Sequence, residues 1–533
     1  MKEFYAVFTS WLVLAVLLVC LAEKVVTESI LYYDEALAAS MARDFVLNQH
    51  RSDHVPGTAT AEWFGRPAPT FLQGYCGALK CWMLIPSFAV LGPHLNVLRW
   101  TDLGWCVVSL LFFMLWTWRL MGLAAALLAG PFLALDPSFF FISVHDWGPV
   151  VPSFLCRFAG FFLLLLGWQN RRSIWLFFAG LAFGLGFYNK IDFVVILAGT
   201  GLALFATNAK AVVSMLSEPR GKLALFGTGF LVGALPMVVN FWRIVQGVLA
   251  GGAGGGQDEM AEKLNTAWTM FDGSYFYRLM EQGGVFTKMY DAPATVWSPF
   301  GLVFALAFVL LAFHVGSRLL QQTFERLPAF LLVSTLLLLL GTLLMPQAVR
   351  IHHWTLVYPF PHLIIATAVM WLWHNPPARP VARLALRACI MIAIAGVLTG
   401  HLLALRKTQR LIVETGGRGR WSNSLTAFAE EVKDRSDLTI VSLDWGFNEQ
   451  LKFLTDGPRL HEPIWHLQAG GRYPISKSSN FVYLVYSPDY TLFPYGKGLL
   501  GMAYGADPRQ VRIQPYKDRQ GDTAFLAVRF MGE

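Results

Sequence analysis

Residues 328–345 read PAFLLVSTLLLLLGTLLM, with no charged side chain among them. A bilayer's hydrocarbon core needs about 20 apolar residues per crossing helix. This stretch is therefore expected to cross a membrane. Similar runs occur near residues 5–22, 95–117, 121–135, 150–168, 174–188, 193–207, 223–241, 297–315, 355–373 and 387–405. The expected fold class is an α-helical polytopic membrane protein with about eleven transmembrane helices. Composition agrees: 55% of residues are hydrophobic and 14% are charged, where soluble chains carry about 25%. Mean hydropathy is +0.48.

The net charge of +8 has a membrane explanation, since Lys and Arg collect in cytoplasmic loops. No compact basic and aromatic patch points to nucleic acid. With the N-terminus inside, the inward connections hold Arg119; Arg171 and Arg172; Lys210, Arg220 and Lys222; Arg318 and Arg326; and Arg379, Arg383 and Arg387. Every inward loop is basic in that orientation. An odd number of spans then puts the C-terminal segment outside. Leu17-Leu18-Val19-Cys20 approaches a lipoprotein processing site, but Val19 is too large, so the first segment is expected to be retained. Six cysteines are present. Cys76 and Cys81 share an outward loop, where a disulfide is one option and free thiols the other.

The chain divides into a membrane domain, 1–405, and an outer α/β domain, 406–533. Outward segments run over 23–94, around His145-Asp146-Trp147, and over 242–296. The last contains glycines at 251, 252 and 254–256 and reads as a flexible linker or lid. In the C-terminal part, Leu438–Leu443 and Phe481–Tyr486 read as strands, Asn448–Leu454 as a short helix and 509–530 as a closing hairpin.

Ionisable groups at the membrane surface are costly to keep and so mark candidate chemistry. Tyr32-Tyr33-Asp34-Glu35 follows the first span. Behind it Leu37, Met41, Phe45 and Val46 share one side of a predicted amphipathic helix. Asp34 is either that helix's cap, with Glu35 favouring its first turn, or a carboxylate placed to deprotonate an acceptor. Asp146 is likewise a cap or a second acid. The triplet Asp146-Trp147-Gly148 recurs as Asp444-Trp445-Gly446, which reads as coincidence. Arg66, Lys190, Arg350, His352 and His353 form an outward excess of cations, suited either to snorkelling or to binding a lipid phosphate. Adjacent histidines do not share a helix face, and no metal is expected.

These residues resemble motifs of the GT-C superfamily of membrane glycosyltransferases, in particular the bacterial branch of protein O-mannosyltransferases and lipid A aminoarabinose transferases. The likeness rests on Asp34-Glu35, Arg66-Pro67-Ala68-Pro69, Leu98-Arg99, Asp146, Gly184-Leu185-Gly186-Phe187-Tyr188-Asn189-Lys190, and Arg350 to Pro361 with His352-His353-Trp354 and Tyr358-Pro359. Arg66 departs from the Lys of the aminoarabinose enzymes. The resemblance implies eleven to thirteen spans, interfacial helices in the first outer loop and an inverting transfer. The donor would be a polyprenyl-phosphate sugar, undecaprenyl phosphate by default, and the acceptor a lipid, polysaccharide or protein. Transfer would occur at the periplasmic face of a bacterial inner membrane. It implies Asp34 as catalytic base supported by Glu35, with Asp146 orienting the acceptor or sharing the base role. Arg66, Lys190, Arg350, His352 and His353 would bind the donor phosphate, with neither metal nor cofactor. The alternative is a transporter or flippase for a polyprenyl-linked or other amphiphilic substrate, though no internal repeat is visible.

Overall fold

The structure is a computed structural model that describes residues 1–28, 31–51, 55–170, 172–217, 221–242, 245–246, 257–290, 295–346 and 350–531. The glycine run at 251–256 and the cations Arg171 and Arg220, expected inside, lie outside the described residues. All eleven apolar runs form helices. Among the described residues nine are long and apolar enough to cross a bilayer unaided. The run at 121–135 becomes Leu123–Ala134, bent by 61° onto Pro137–Val144. That bend has a local cause. Asp136 accepts the N–H groups of Ser138 (2.8 Å) and Phe139 (3.1 Å) and so starts a new helix. The eleventh helix, Ser173–Asn189, has 17 residues, or about 26 Å at 1.5 Å per residue.

Two of these helices meet backbone to backbone. Gly180 and Gly184 face Gly229 and Gly233 across the contact between Ser173–Asn189 and Gly221–Val239. A Cβ at Gly184 would lie 2.2 Å from the Phe230 carbonyl oxygen, and one at Gly229 2.0 Å from that of Phe177. Small residues four apart let helices approach where lipid supplies no hydrophobic drive.

The first loop holds more than its expected helices, Tyr33–Leu47 and Leu79–Leu91. Between them lies an antiparallel sheet of β1 (Ala59–Trp63), β2 (Arg66–Gln73) and β3 (Cys76–Gly77). Backbone pairing of Cys76 with Lys190 joins this sheet to the end of helix Ser173–Asn189. Cys76 and Cys81 are both free thiols, so the disulfide option is not taken up.

The last membrane helix continues to Thr415 and stops at Gly416, whose φ of 66° ends it. Beyond it stand β4 (Thr439–Ser442), β5 (Arg459–His461), β6 (Phe481–Tyr486), β7 (Val511–Lys517) and β8 (Thr523–Phe530). They form one sheet in the order β5-β4-β6-β8-β7, parallel from β5 to β6 and antiparallel from β6 to β7. This unit sits on the first-loop helix Tyr33–Leu47. Tyr33 Oη donates to Glu462 (2.9 Å), Ser40 Oγ to Glu449 (3.0 Å), and Arg43 pairs with Asp456 (2.6 Å). The polar side of that helix is thereby covered by protein.

The glycine contact yields a stability test. Gly184→Leu forces the two helices apart and should cost about 1–3 kcal/mol, read as a lowered thermal midpoint in detergent. Gly227, on the same helix as Gly229 but with open space beside it, should accept Ala without loss. Equal melting of both variants with the parent would remove the packing role.

Candidate active site

Glu35 is fully buried. Its Oε1 accepts Arg99 Nε at 3.1 Å, its Oε2 accepts the Tyr32 backbone N–H at 3.3 Å, and His145 Nδ1 lies 3.8 Å from Oε2. Burial raises its pKa, but Arg99 and His145 outweigh that and hold it down at about 2. Glu35, rather than Asp34, therefore supplies the N-terminal capping of helix Tyr33–Leu47. Asp146 is equally committed. Its Oδ1 accepts the N–H groups of Val150 (2.7 Å) and Val151 (2.9 Å), starting the helix Val150–Asn170. Its Oδ2 lies 3.1 Å from Lys80 Nζ, which also stands 3.2 Å from Asp102 Oδ2.

Asp34 differs. It is partly accessible and makes no ion pair among the described residues. The surrounding protein removes water from it and raises its pKa to about 6, against the lowering effects of the Lys190 charge, a hydrogen bond from Trp147 and the Lys80 charge. The two neighbouring carboxyls of one helix turn thus end with opposite proton affinities.

Aromatic rings gather around Tyr32, two residues before Asp34. Tyr32 stacks on Trp421 at 4.4 Å and meets Trp147 at 5.0 Å and Trp445 at 5.9 Å. Trp421 also meets His145 at 5.8 Å. Trp421 and Trp445 were not among the expected site residues. The signal for Trp445 was the repeated Asp-Trp-Gly, because both tryptophans of those triplets flank Tyr32. Asp444 is the anchor of the second: it accepts the N–H groups of Trp445 (2.8 Å), Leu492 (3.1 Å) and Phe493 (3.2 Å).

The expected cations part company. Lys190 Nζ lies 3.0 Å from Asp192 Oδ2, which also stands 3.3 Å from His353 Nδ1. Burial raises the pKa of Asp192, yet Lys190 and His353 together hold it down at about 2. The His352 ring packs against Trp147 at 5.6 Å, and its buried Nδ1 has no hydrogen-bond partner among the described residues. Arg350 pairs with Glu262 and lies 3.6 Å over the Phe286 ring, which stacks on Trp147 at 5.7 Å. Arg66 stands apart. It donates to the carbonyls of Phe45 (3.1 Å) and Val46 (2.8 Å) at the far end of helix Tyr33–Leu47, about 16 Å along the axis from Asp34 at 1.5 Å per residue. The structure gathers Lys190, His352 and His353, with Arg350 at their edge, and leaves Arg66 out. The cavity between Gly148, Lys190 and His352 measures about 10 Å³, so these side chains must part to admit a phosphate. Among the described residues no group of three His, Cys, Asp or Glu side chains is arranged to hold a metal ion.

No family model and no curated protein matches this chain. Solved structures do. ArnT from Cupriavidus metallidurans bound to undecaprenyl phosphate matches with a TM-score of 0.55 at 12% identity, over 99% of this chain and 97% of that one. The same protein in the apo state matches with 0.55 at 14% identity, over 98% of each chain. The Archaeoglobus fulgidus oligosaccharyltransferase in the apo form matches with 0.51 at 12% identity, over 90% of this chain and 70% of that one. The likeness is one of architecture: this chain has the GT-C fold.

The buried ions make a prediction of their own. Lys80→Met strands Asp102 and Asp146 without their shared cation and should cost about 3–5 kcal/mol, seen as a lower melting point. Adding Asp102→Asn to that variant should recover part of the loss. A parent-like melting curve for Lys80→Met would show that the pairs do not hold the loop.

Proposed function

We propose that this chain is an inverting glycosyltransferase that moves a sugar from a polyprenyl-phosphate donor to an acceptor at the outer membrane face. The observation that carries the reading is Asp34, a carboxylate without an ion pair among the described residues while Glu35 and Asp146 beside it are consumed by structure. A general base works best with a pKa near the working pH, and Asp34 has one of about 6. The GT-C fold adds support, and the ArnT structure of that fold holds undecaprenyl phosphate.

In this mechanism an acceptor hydroxyl or amine gives its proton to Asp34 as its heteroatom attacks the anomeric carbon. The bond from that carbon to the phosphate oxygen breaks on the opposite face, and its electron pair leaves with the polyprenyl phosphate. Lys190 and His352 stabilise that departing charge, with His353 and Arg350 behind them. Glu35 and Asp146 act as positioning residues through the backbone they hold. Arg66 has a different task, closing the end of helix Tyr33–Leu47. The acceptor is a lipid, polysaccharide or protein, and the basic loops expected inside support a reaction on the periplasmic side of a bacterial inner membrane.

Asp34→Asn should lower turnover by about 10²–10⁴-fold in an assay with purified protein and a polyprenyl-phosphate sugar, with donor binding retained. Unchanged turnover would end the base assignment. In the parent, the base is competent only when ionised, so activity should be flat above pH 6 and fall about tenfold per unit below it. A profile without that limb counts against Asp34. Lys190→Ala should weaken donor affinity about tenfold, since a charge-assisted contact is worth about 1.5–3 kcal/mol, whereas Arg66→Ala should leave affinity unchanged and lower only the melting point. The reverse pattern would exchange their roles.

A further inference from the structure

The outer α/β unit carries a second pocket that the transfer mechanism does not use. It measures about 300 Å³ and is lined by Pro56 of the first loop and by His461, Glu462, Trp465, His466 and Tyr473. Its walls are rings. His461 and Tyr473 lie 5.2 Å apart with their planes at 39°, and Trp465 is half-exposed beside them. Glu462 sits at its base, 7% exposed. One carboxyl oxygen, Oε2, accepts both the Trp465 indole N–H (2.8 Å) and the Tyr33 hydroxyl (2.9 Å). The other, Oε1, is buried without a hydrogen-bond partner among the described residues. A native structure that buries a polar atom in this way leaves a bond to be completed by something else.

We propose that this pocket binds a neutral sugar ring. A pyranose has one face of C–H groups and a rim of hydroxyls. The apolar face suits the flat indole and phenol, and a rim hydroxyl completes Glu462 Oε1 once a turn of the carboxyl brings that buried oxygen to the pocket. The Trp465–Glu462 bond fixes the platform and the carboxyl in one register, so the two contacts are presented together. An alkylammonium ligand would also favour rings, but it needs a firm negative charge at the base. Burial and the neighbouring Glu449 raise Glu462 to about 8, so the group is largely protonated at neutral pH and serves as a hydrogen-bonding partner rather than a counter-ion. Tyr33 joins this pocket to Asp34, the next residue of the same helix turn. Assigning the bound ring to a saccharide acceptor rests on the glycosyltransferase reading; the binding itself does not.

The test uses the full chain in nanodiscs and saturation-transfer NMR with methyl α-mannoside, methyl β-glucoside and N-acetylglucosamine, with choline as the cationic comparison. Transfer to the ring protons of at least one sugar is expected. It should fall at least fivefold in Trp465→Ala and in Tyr473→Ala, and should persist in Asp34→Asn. Melting curves identify a variant that fails to fold, and the other aromatic variant then decides. Transfer to choline alone, to none of the sugars, or equally in folded ring variants and parent overturns the proposal. Normal sugar transfer by Asp34→Asn would instead overturn the mechanism while leaving a sugar signal that depends on Trp465 intact.

Discussion

A charge held below the headgroups has no water to turn to, and burying one costs several kcal/mol unless a partner is close. Lys80 meets that constraint by standing between Asp102 of a membrane helix and Asp146 of a later loop. Arg99, one turn from Asp102, meets Glu35 in the same way. These pairs clamp the first-loop helices onto the bundle at two points. Neither Lys80 nor Arg99 can be withdrawn without stranding a buried carboxylate. The position of the Tyr32-to-Glu35 turn is therefore set by electrostatics, and everything placed around Asp34 inherits that setting.

The same constraint sorts the acids. Glu35 and Asp146 are fully enclosed, and each is bound by backbone N–H groups and cations. Asp34 shares their surroundings without sharing their partners. Environments that push neighbouring carboxyl groups apart in proton affinity are how one site obtains a group able to take up a proton near neutral pH.

The membrane fold was legible because each span needs only a local apolar run, and all eleven runs became helices. The place of Asp34 just past the first helix was legible because it follows a span directly. The companions of Asp34 were not. Trp421 and Trp445 reach Tyr32 through folding of the outer unit, and no local periodicity encodes a contact across most of the chain. The β1-β2-β3 sheet was hidden because Pro67 and Pro69 demote β2 in a local reading. Arg66 shows what a motif leaves open: its side chain lies on the carbonyls of Phe45 and Val46, a contact across the first loop that local sequence does not encode. For Asp146 the cap alternative describes its geometry, since residue type alone does not separate a structural carboxylate from a reactive one.

Tyr32 lies near the start of the chain, yet two of its ring neighbours, Trp421 and Trp445, come from its last quarter. A ribosome inserting this protein into the membrane completes every span before either tryptophan has left the exit tunnel. Until then the turn bearing Asp34 is anchored by Arg99 but has no roof. The enclosure around Tyr32 thus assembles only after the last span has been made, so a chain can be fully inserted and still lack these walls of the candidate site.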